Sequence, residues 1–272
     1  MAAKNGLKPD LASWVGVIIA FGAIIGGLLL EGGQITDIAQ YTAAIIVLGG
    51  TLGATMLNSP LPTFLSALKR CAHVFLERAE SPHSVIEAII EYATKARKQG
   101  IVSLEQEAAE IQDPFLRKAL TLAVDGTDLQ ELRKMMELEI EMIEHRASAE
   151  AKVFEQAGGY APTVGIIGAV MGLIQVMKNL ANIDEVGHGI AVAFVATVYG
   201  VGIANLFFLP IAGKIKARVH EELRIKELIV EGVSGIVEGL NPKLIRMKLE
   251  AYTSGEPQSK KEPAANGPEK AA

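Results

Sequence analysis

The reading that decides the fold rests on two stretches: GGYAPTVGIIGAVMGL, residues 158–173, and AFVATVYGVGIANLFFLP, residues 193–210. Each is rich in small residues and holds one threonine and one proline. Neither contains a carboxylate, a lysine or an arginine. Both read as the central parts of membrane-spanning helices. Helices of this composition line something, and any charge that moves past them is carried by another chain.

The surrounding sequence fits that reading. The chain has 272 residues, half of them hydrophobic, and the apolar residues fall in blocks. Four stretches lack Asp, Glu, Lys and Arg: Leu11 to Leu30, Ile38 to Leu57, Ala157 to Met177 and Gly189 to Gly213. Each approaches or exceeds the ~20 residues needed to cross a hydrocarbon core of roughly 30 Å. Buried helices of soluble proteins are shorter, ~10–14 residues, and keep a polar stripe. The first stretch is too long for the apolar core of a signal peptide, and no small-x-small pattern follows at Glu31, so it reads as a retained membrane helix. The loop from Glu31 to Asp37 has no Lys or Arg, whereas Lys69, Arg70, Lys214, Lys216 and Arg218 follow the second and fourth stretches. The positive-inside rule then places both termini and the central segment in the cytoplasm. The net charge of −5 adds little for a membrane protein.

Other function classes find no support. Cys71 is the only cysteine, and the five histidines show no ligand spacing, so no disulfide framework, metal site or cofactor is expected. There is no nucleophile–base pair and no glycine-rich phosphate loop, so the chain is not expected to be an enzyme.

The expected fold is all-α: a polytopic membrane protein with four transmembrane helices and a helical cytoplasmic insertion. Its parts are transmembrane helices 1 and 2 (11–57), a cytoplasmic helical domain (58–156), transmembrane helices 3 and 4 (157–213), a cytoplasmic helical extension (214–252) and a disordered tail (253–272). In the insertion, Ser81-Pro82 starts a helix that Gly100 closes. Ser103 and Gln106 have capping-box spacing. Asp113-Pro114 opens another helix, and Asp125-Gly126-Thr127-Asp128 is a turn followed by an N-cap. From Leu129 to about Phe154, apolar residues recur every three to four positions, predicting a long amphipathic helix. A charged helix is predicted from Lys214 to about Glu238. The tail is too polar to order itself.

Within the membrane, Gly22/Gly26, Gly49/Gly53 and Gly168/Gly172 have GxxxG spacing, and Ala193, Thr197, Gly200 and Ala204 form a small-residue stripe. Small residues let backbones approach. The sequence leaves open whether these faces pack within one subunit or form a ring of third and fourth helices around a partner helix. An ion at depth needs a titratable or liganding group. Here there are only hydroxyls (Thr163, Thr197, Tyr199), Asn205, and carbonyls freed by two prolines. These can hydrate or relay an ion but cannot hold a proton at neutral pH, so the acid belongs to a second protein.

The runs GGYAPTVGIIGAVMGLIQVMKNL and GHGIAVAFVATVYGVGIANLFFLPIAGKIK resemble the paired third and fourth helices of the MotA/PomA flagellar stator family, whose wider superfamily includes TolQ and ExbB. ARKQGIVSLE, DPFLRKALTLAVDGTD and EIEMIEHRA are similar to its cytoplasmic stretches. The resemblance implies an inner-membrane pentamer around a dimer of a MotB-like partner, whose single helix carries an ion-binding aspartate and whose periplasmic domain grips peptidoglycan. Ion flow would turn the ring and the flagellar rotor. By the same resemblance, Pro162 and Pro210 match prolines linked to conformational coupling. Thr197 matches the threonine facing the partner's aspartate; with Ala169, and the Thr163 hydroxyl read from the sequence itself, it makes up the expected ion pathway. Arg97 and Glu105 match the charged pair that engages the rotor switch protein. Many members have a threonine where this chain has Ala169, a residue associated with sodium-driven stators. A methyl group cannot replace the water shell of a sodium ion, so the expected ion is the proton. The alternative reading is a TolQ/ExbB-type proton-driven energiser of outer-membrane processes. Those proteins have three membrane helices, and the segment Leu11 to Leu30 and the DGTD insertion favour the stator.

Overall fold

The structure is a computed structural model that describes residues 8–77 and 81–253. Among the described residues, four helices are long and apolar enough to cross a membrane: Leu11–Leu30, Tyr41–Asn58, Leu129–Lys178 and Ile183–Val237. The all-α expectation holds. The one departure is a two-residue antiparallel pair, Lys8 with Glu77 and Pro9 with Leu76, too short to need an alternating pattern.

In chain order the helices are α1 (Leu11–Leu30), α2 (Ile35–Ile38), α3 (Tyr41–Ala44), α4 (Gly50–Asn58), α5 (Leu61–Val74), α6 (Pro82–Gln99), α7 (Glu105–Glu110), α8 (Pro114–Val124), α9 (Leu129–Lys178), α10 (Ile183–Ile203), α11 (Leu209–Val237) and α12 (Pro242–Thr253). A π-helical turn, Ile45–Gly49, joins α3 to α4, and another, Ala204–Phe208, joins α10 to α11. Each pair therefore forms one span.

Several boundaries differ from expectation, each for a local reason. The second span begins at Tyr41 rather than Ile38 because the chain breaks at Ala39 and Gln40. There the Tyr199 hydroxyl donates to the Ile38 carbonyl and accepts from the Gln40 N–H at 3.4 Å. The amphipathic helix does not stop near Phe154 but runs on through the third membrane segment to Lys178, with Pro162 inside it. A single proline removes one ladder bond, which a helix packed on its neighbours tolerates. The fourth span begins at Ile183, six residues before Gly189: Asn182 accepts from the Asp184 N–H, and Asp184 and Glu185 sit in the first turn, where the helix dipole favours them. Ser103 caps no α-helix. It lies in a 3₁₀ turn (Ile101–Leu104) and its hydroxyl donates to the Gly100 carbonyl at 2.7 Å. Thr253 ends α12 rather than starting the tail, and the rest of the expected disordered tail lies outside the described residues. The other signals act as read: Ser81 caps α6, Gly100 closes it at φ 84°, Asp113 caps α8, and Asp128 accepts from the Gln130 N–H.

The chain divides into two compact units. Among the described residues, one comprises 8–77 and 138–223, the other 81–137 and 224–253. In the second unit Ile89 and Leu249 pack against Gly232, and Ile245 against Gly235. Ion pairs fasten α12: both Arg246 guanidinium branches donate to Glu87, and Lys248 joins Arg133 on Glu231. In the first unit a buried cluster combines Ala147, Ala151, Phe154 and Ala157 of α9 with Ile211, Ala212, Ile215 and Val219 of α11 and Phe64 and Ala67 of α5.

Helix α1 has no buried residue, and its cytoplasm-predicted end holds it to the unit. Asp10 caps it, accepting from the Ala12 and Ser13 N–H groups, and also takes Lys214 at 2.5 Å and Arg218 at 2.9 Å. The Trp14 and Phe75 rings meet at a tilt of 49° with centroids 5.4 Å apart. The Lys214 hydrogen bond, helped by Ser13 and Arg218, outweighs burial and holds the Asp10 carboxyl well below the usual carboxylate range. A lowered native pKa contributes stability that is present above the unfolded value of ~4 and fades as pH falls below it. Asp10→Asn is therefore expected to lower the Tm of the purified protein at pH 7, with the gap to wild type narrowing in thermal melts taken progressively below pH 4.

Candidate ion-pathway wall

The third and fourth spans touch backbone to backbone. A methyl on Gly200 would stand 2.5 Å from the Ala161 carbonyl oxygen and 3.0 Å from Gly165 Cα, and one on Gly165 would meet the Ala196 carbonyl at 2.8 Å. Toward the other end, a methyl on Gly168 would lie 2.8 Å from Ala196 Cβ, and one on Gly172 would lie 2.7 Å from the Gly189 carbonyl oxygen. Only glycine permits these approaches. The contacting stripe of the fourth span is thus Gly189, Ala193, Ala196 and Gly200, rotated from the predicted Ala193–Thr197–Gly200–Ala204 line. Gly168/Gly172 packs within the chain, whereas a Cβ on Gly22, Gly26, Gly49 or Gly53 would meet nothing within 4 Å.

This register places the predicted pathway residues. Thr197 and Ala169 each follow a residue of the Gly168–Ala196 contact, so they lie at the same level of the antiparallel pair, and both are half-buried. Thr163 is exposed, between Ala161 and Gly165, one level toward Pro162. The Thr197 hydroxyl donates to the Ala193 carbonyl at 3.2 Å and that of Thr163 to Tyr160 at 2.8 Å. A hydroxyl that gives its proton to its own helix keeps its lone pairs for an outside donor. Tyr199 is different: its hydroxyl is taken up by the backbone at residues 38–40, so it shapes the fold. Asn205 donates to the Val201 carbonyl at 2.9 Å. Beside Thr163, the exposed apolar residues include Ile167, Val170 and Ile174 on the third span and Phe194, Val198 and Val201 on the fourth.

Pro162 is half-buried and Pro210 exposed. Pro162 has no N–H for the Gly158 carbonyl, and Pro210 none for Leu206, which lies in the π-helical turn. Proline and π-turns are the usual sites of local helix bending. The charges sit at the span ends. Glu150 is buried and accepts from Ser66 and from Arg70 at 2.9 Å, and Lys216 pairs with Glu155. Asp10 and Glu150 were missed as key positions by the sequence reading, which had placed Gly200 in the small-residue stripe. Asp10 had a signal, standing directly before an apolar run as N-caps do. Glu150 had only its alanine neighbours.

Arg97 and Glu105 occupy a second surface, in the other unit. Arg97 is in the last turn of α6 and Glu105 opens α7, both exposed. Lys95 and Glu107 pair across the same bend at 2.5 Å. Neither Arg97 nor Glu105 has an ion pair among the described residues, so the bend braces itself with one charge pair and presents another outward.

These features define a polytopic membrane protein whose third and fourth helices form an uncharged, hydroxyl-bearing wall. Comparison with known proteins agrees. Residues 107–228 match the model of the MotA/TolQ/ExbB proton channel family, and 14–100 that of the motility protein A N-terminal region. Motility protein A of Bacillus subtilis is 35% identical over 244 residues, covering 89% of this chain and 90% of the relative. The solved C. jejuni MotAB structure superposes with a TM-score of 0.87 at 31% identity, covering 92% of this chain and 98% of that one. The flagellar MotAB stator complex of B. subtilis gives 0.83 at 36% identity, over 89% and 95%. The chain belongs to the MotA/TolQ/ExbB proton channel family, in its motility protein A branch. It is a multi-pass membrane protein and a flagellar stator subunit, and the TolQ/ExbB-type alternative is not favoured.

The charge arrangement at the α6–α7 bend predicts unequal stability effects. Lys95→Ala should lower the Tm of the purified protein, modestly because the pair is partly exposed. Arg97→Gln and Glu105→Gln should lower it less in the same differential scanning measurement, each losing only a favourable helix-end charge.

Proposed function

We propose that this chain forms, with a MotB-like single-helix partner that binds peptidoglycan, a proton channel coupling ion flow to torque on the flagellar rotor. The observation that carries the reading is the pair of closely packed membrane helices with hydroxyls at Thr163 and Thr197 and no carboxylate. Protons crossing there need an acid from another chain, and the two similar solved structures are MotAB complexes. Ala169, level with Thr197, offers a methyl where a sodium ion would need an oxygen ligand. The complex sits in the inner membrane with both termini and residues 58–156 in the cytoplasm, consistent with the basic flanks of the second and fourth spans. Five copies of the chain surround the partner. Pro162 and Pro210 flex as the ion site changes charge, and Arg97 and Glu105 meet the rotor switch protein.

Deletion of the gene followed by complementation tests this. Thr197→Val or Pro162→Ala is expected to give cells with normal flagella that do not swim. Unchanged motility in all of the Pro162, Pro210 and Thr197 variants would contradict the assignment. Swimming speed is expected to be independent of external sodium at fixed proton motive force; speed that tracks sodium would show the wrong ion. Arg97→Glu is expected to impair swimming, with partial restoration by a charge reversal on the rotor protein. Silence of both Arg97→Glu and Glu105→Lys would place the rotor contact elsewhere.

A further inference from the structure

Gly200 stands between two features that the stator reading treats separately. It lies one turn after Thr197 on the fourth span, and its Cα faces the Ala161 carbonyl, the peptide group that leads into Pro162 on the third. The neighbouring contacts on both sides are equally close. Gly165 meets the Ala196 carbonyl, Gly172 meets Gly189, and beyond the π-helical turn a methyl on Gly158 would lie 2.6 Å from the Leu209 side chain. Gly158 is the residue whose carbonyl Pro162 cannot serve, and Leu209 immediately precedes Pro210, so the two proline sites meet through their neighbours.

A seam of this kind differs from ordinary side-chain packing. Side chains change rotamers and let helices slide, whereas backbone atoms in direct contact have no such freedom. We infer that Gly200 is a positioning residue: it locks the third and fourth helices together into one hairpin at Ala161 and Gly165, so that a displacement at Thr197 reaches the Pro162 bend directly and the Pro210 bend through the Gly158–Leu209 contact. This deepens the stator reading and rests on it. It assigns the bending to the hairpin as a unit rather than to two helices moving independently.

The test uses the full complex with its partner, expressed in motile cells. Stall torque per motor-bound complex is measured by bead assay with fluorescent counting, which separates coupling from assembly. Gly200→Ala is expected to assemble and lose stall torque per complex. Gly22→Ala, where a methyl meets nothing within 4 Å, should keep it. Wild-type torque per complex in Gly200→Ala would overturn the inference. Should Gly200→Ala fail to assemble, a complementary pair decides. Gly168→Ala places a methyl 2.8 Å from Ala196 Cβ, and its expected torque loss should be restored by adding Ala196→Gly. Absence of rescue would overturn the rigid hairpin. If the seam variants behave as wild type while Thr197→Val and Pro162→Ala remain non-motile, the hairpin fails and the stator reading stands.

Discussion

The structure depends on the backbone contact between the third and fourth membrane helices. Within a membrane the hydrophobic effect cannot drive one helix onto another, because lipid tails are as apolar as leucine. Association rests on close packing, and here glycines at 165, 168, 172, 189 and 200, with Ala161, Ala193 and Ala196, let the two backbones approach. That approach fixes the register of the two helices. The register in turn sets Thr197 level with Ala169 and brings the Pro162 and Pro210 regions together. The second span joins the same assembly, with Val164 against Gly50 and Ile46 against Gly168. The first span stays outside it and is held at one end by Asp10.

Electrostatics divides the molecule along the same lines. Charges are absent from the four apolar stretches and concentrated where those stretches end: Asp10 with Lys214 and Arg218, Arg70 with Glu150, and Lys216 with Glu155. A charge within hydrocarbon is costly unless paired or hydrated, so a wall that carries none is open to a charged group supplied from outside. The free lone pairs of Thr163 and Thr197 can accept from the protonated form of such a carboxyl, or from a hydrated proton. The paired charges at the ends hold the helices in place without intruding on that wall.

Much of this was legible in the sequence, and the exceptions share a cause. The four spans, the N-caps at Ser81, Asp113 and Asp128 and the glycine closing α6 are local signals, and each acts as read. Boundaries failed where a distant residue intervened. The second span starts late because Tyr199, roughly 160 residues away in sequence, takes the backbone bonds at Ile38 and Gln40. The break after Phe154 did not occur because no residue there stops a helix packed on α11. The small-residue stripe of the fourth span was found but rotated, since composition shows which residues are small and only packing shows which of them touch. Ser103 had the spacing of a capping box, yet the positive φ of Gly100 turns the chain into a 3₁₀ turn first.

In the function proposed above, this chain builds the wall of a proton pathway and another protein supplies the acid. Reconstitution into liposomes with a pH-sensitive dye inside tests it most directly. The chain alone should show no proton flux above that of empty vesicles, and adding the partner protein should open a flux that disappears when the partner's membrane carboxylate is replaced by its amide. Proton flux through the chain alone, equal to that of the complex, would contradict the account.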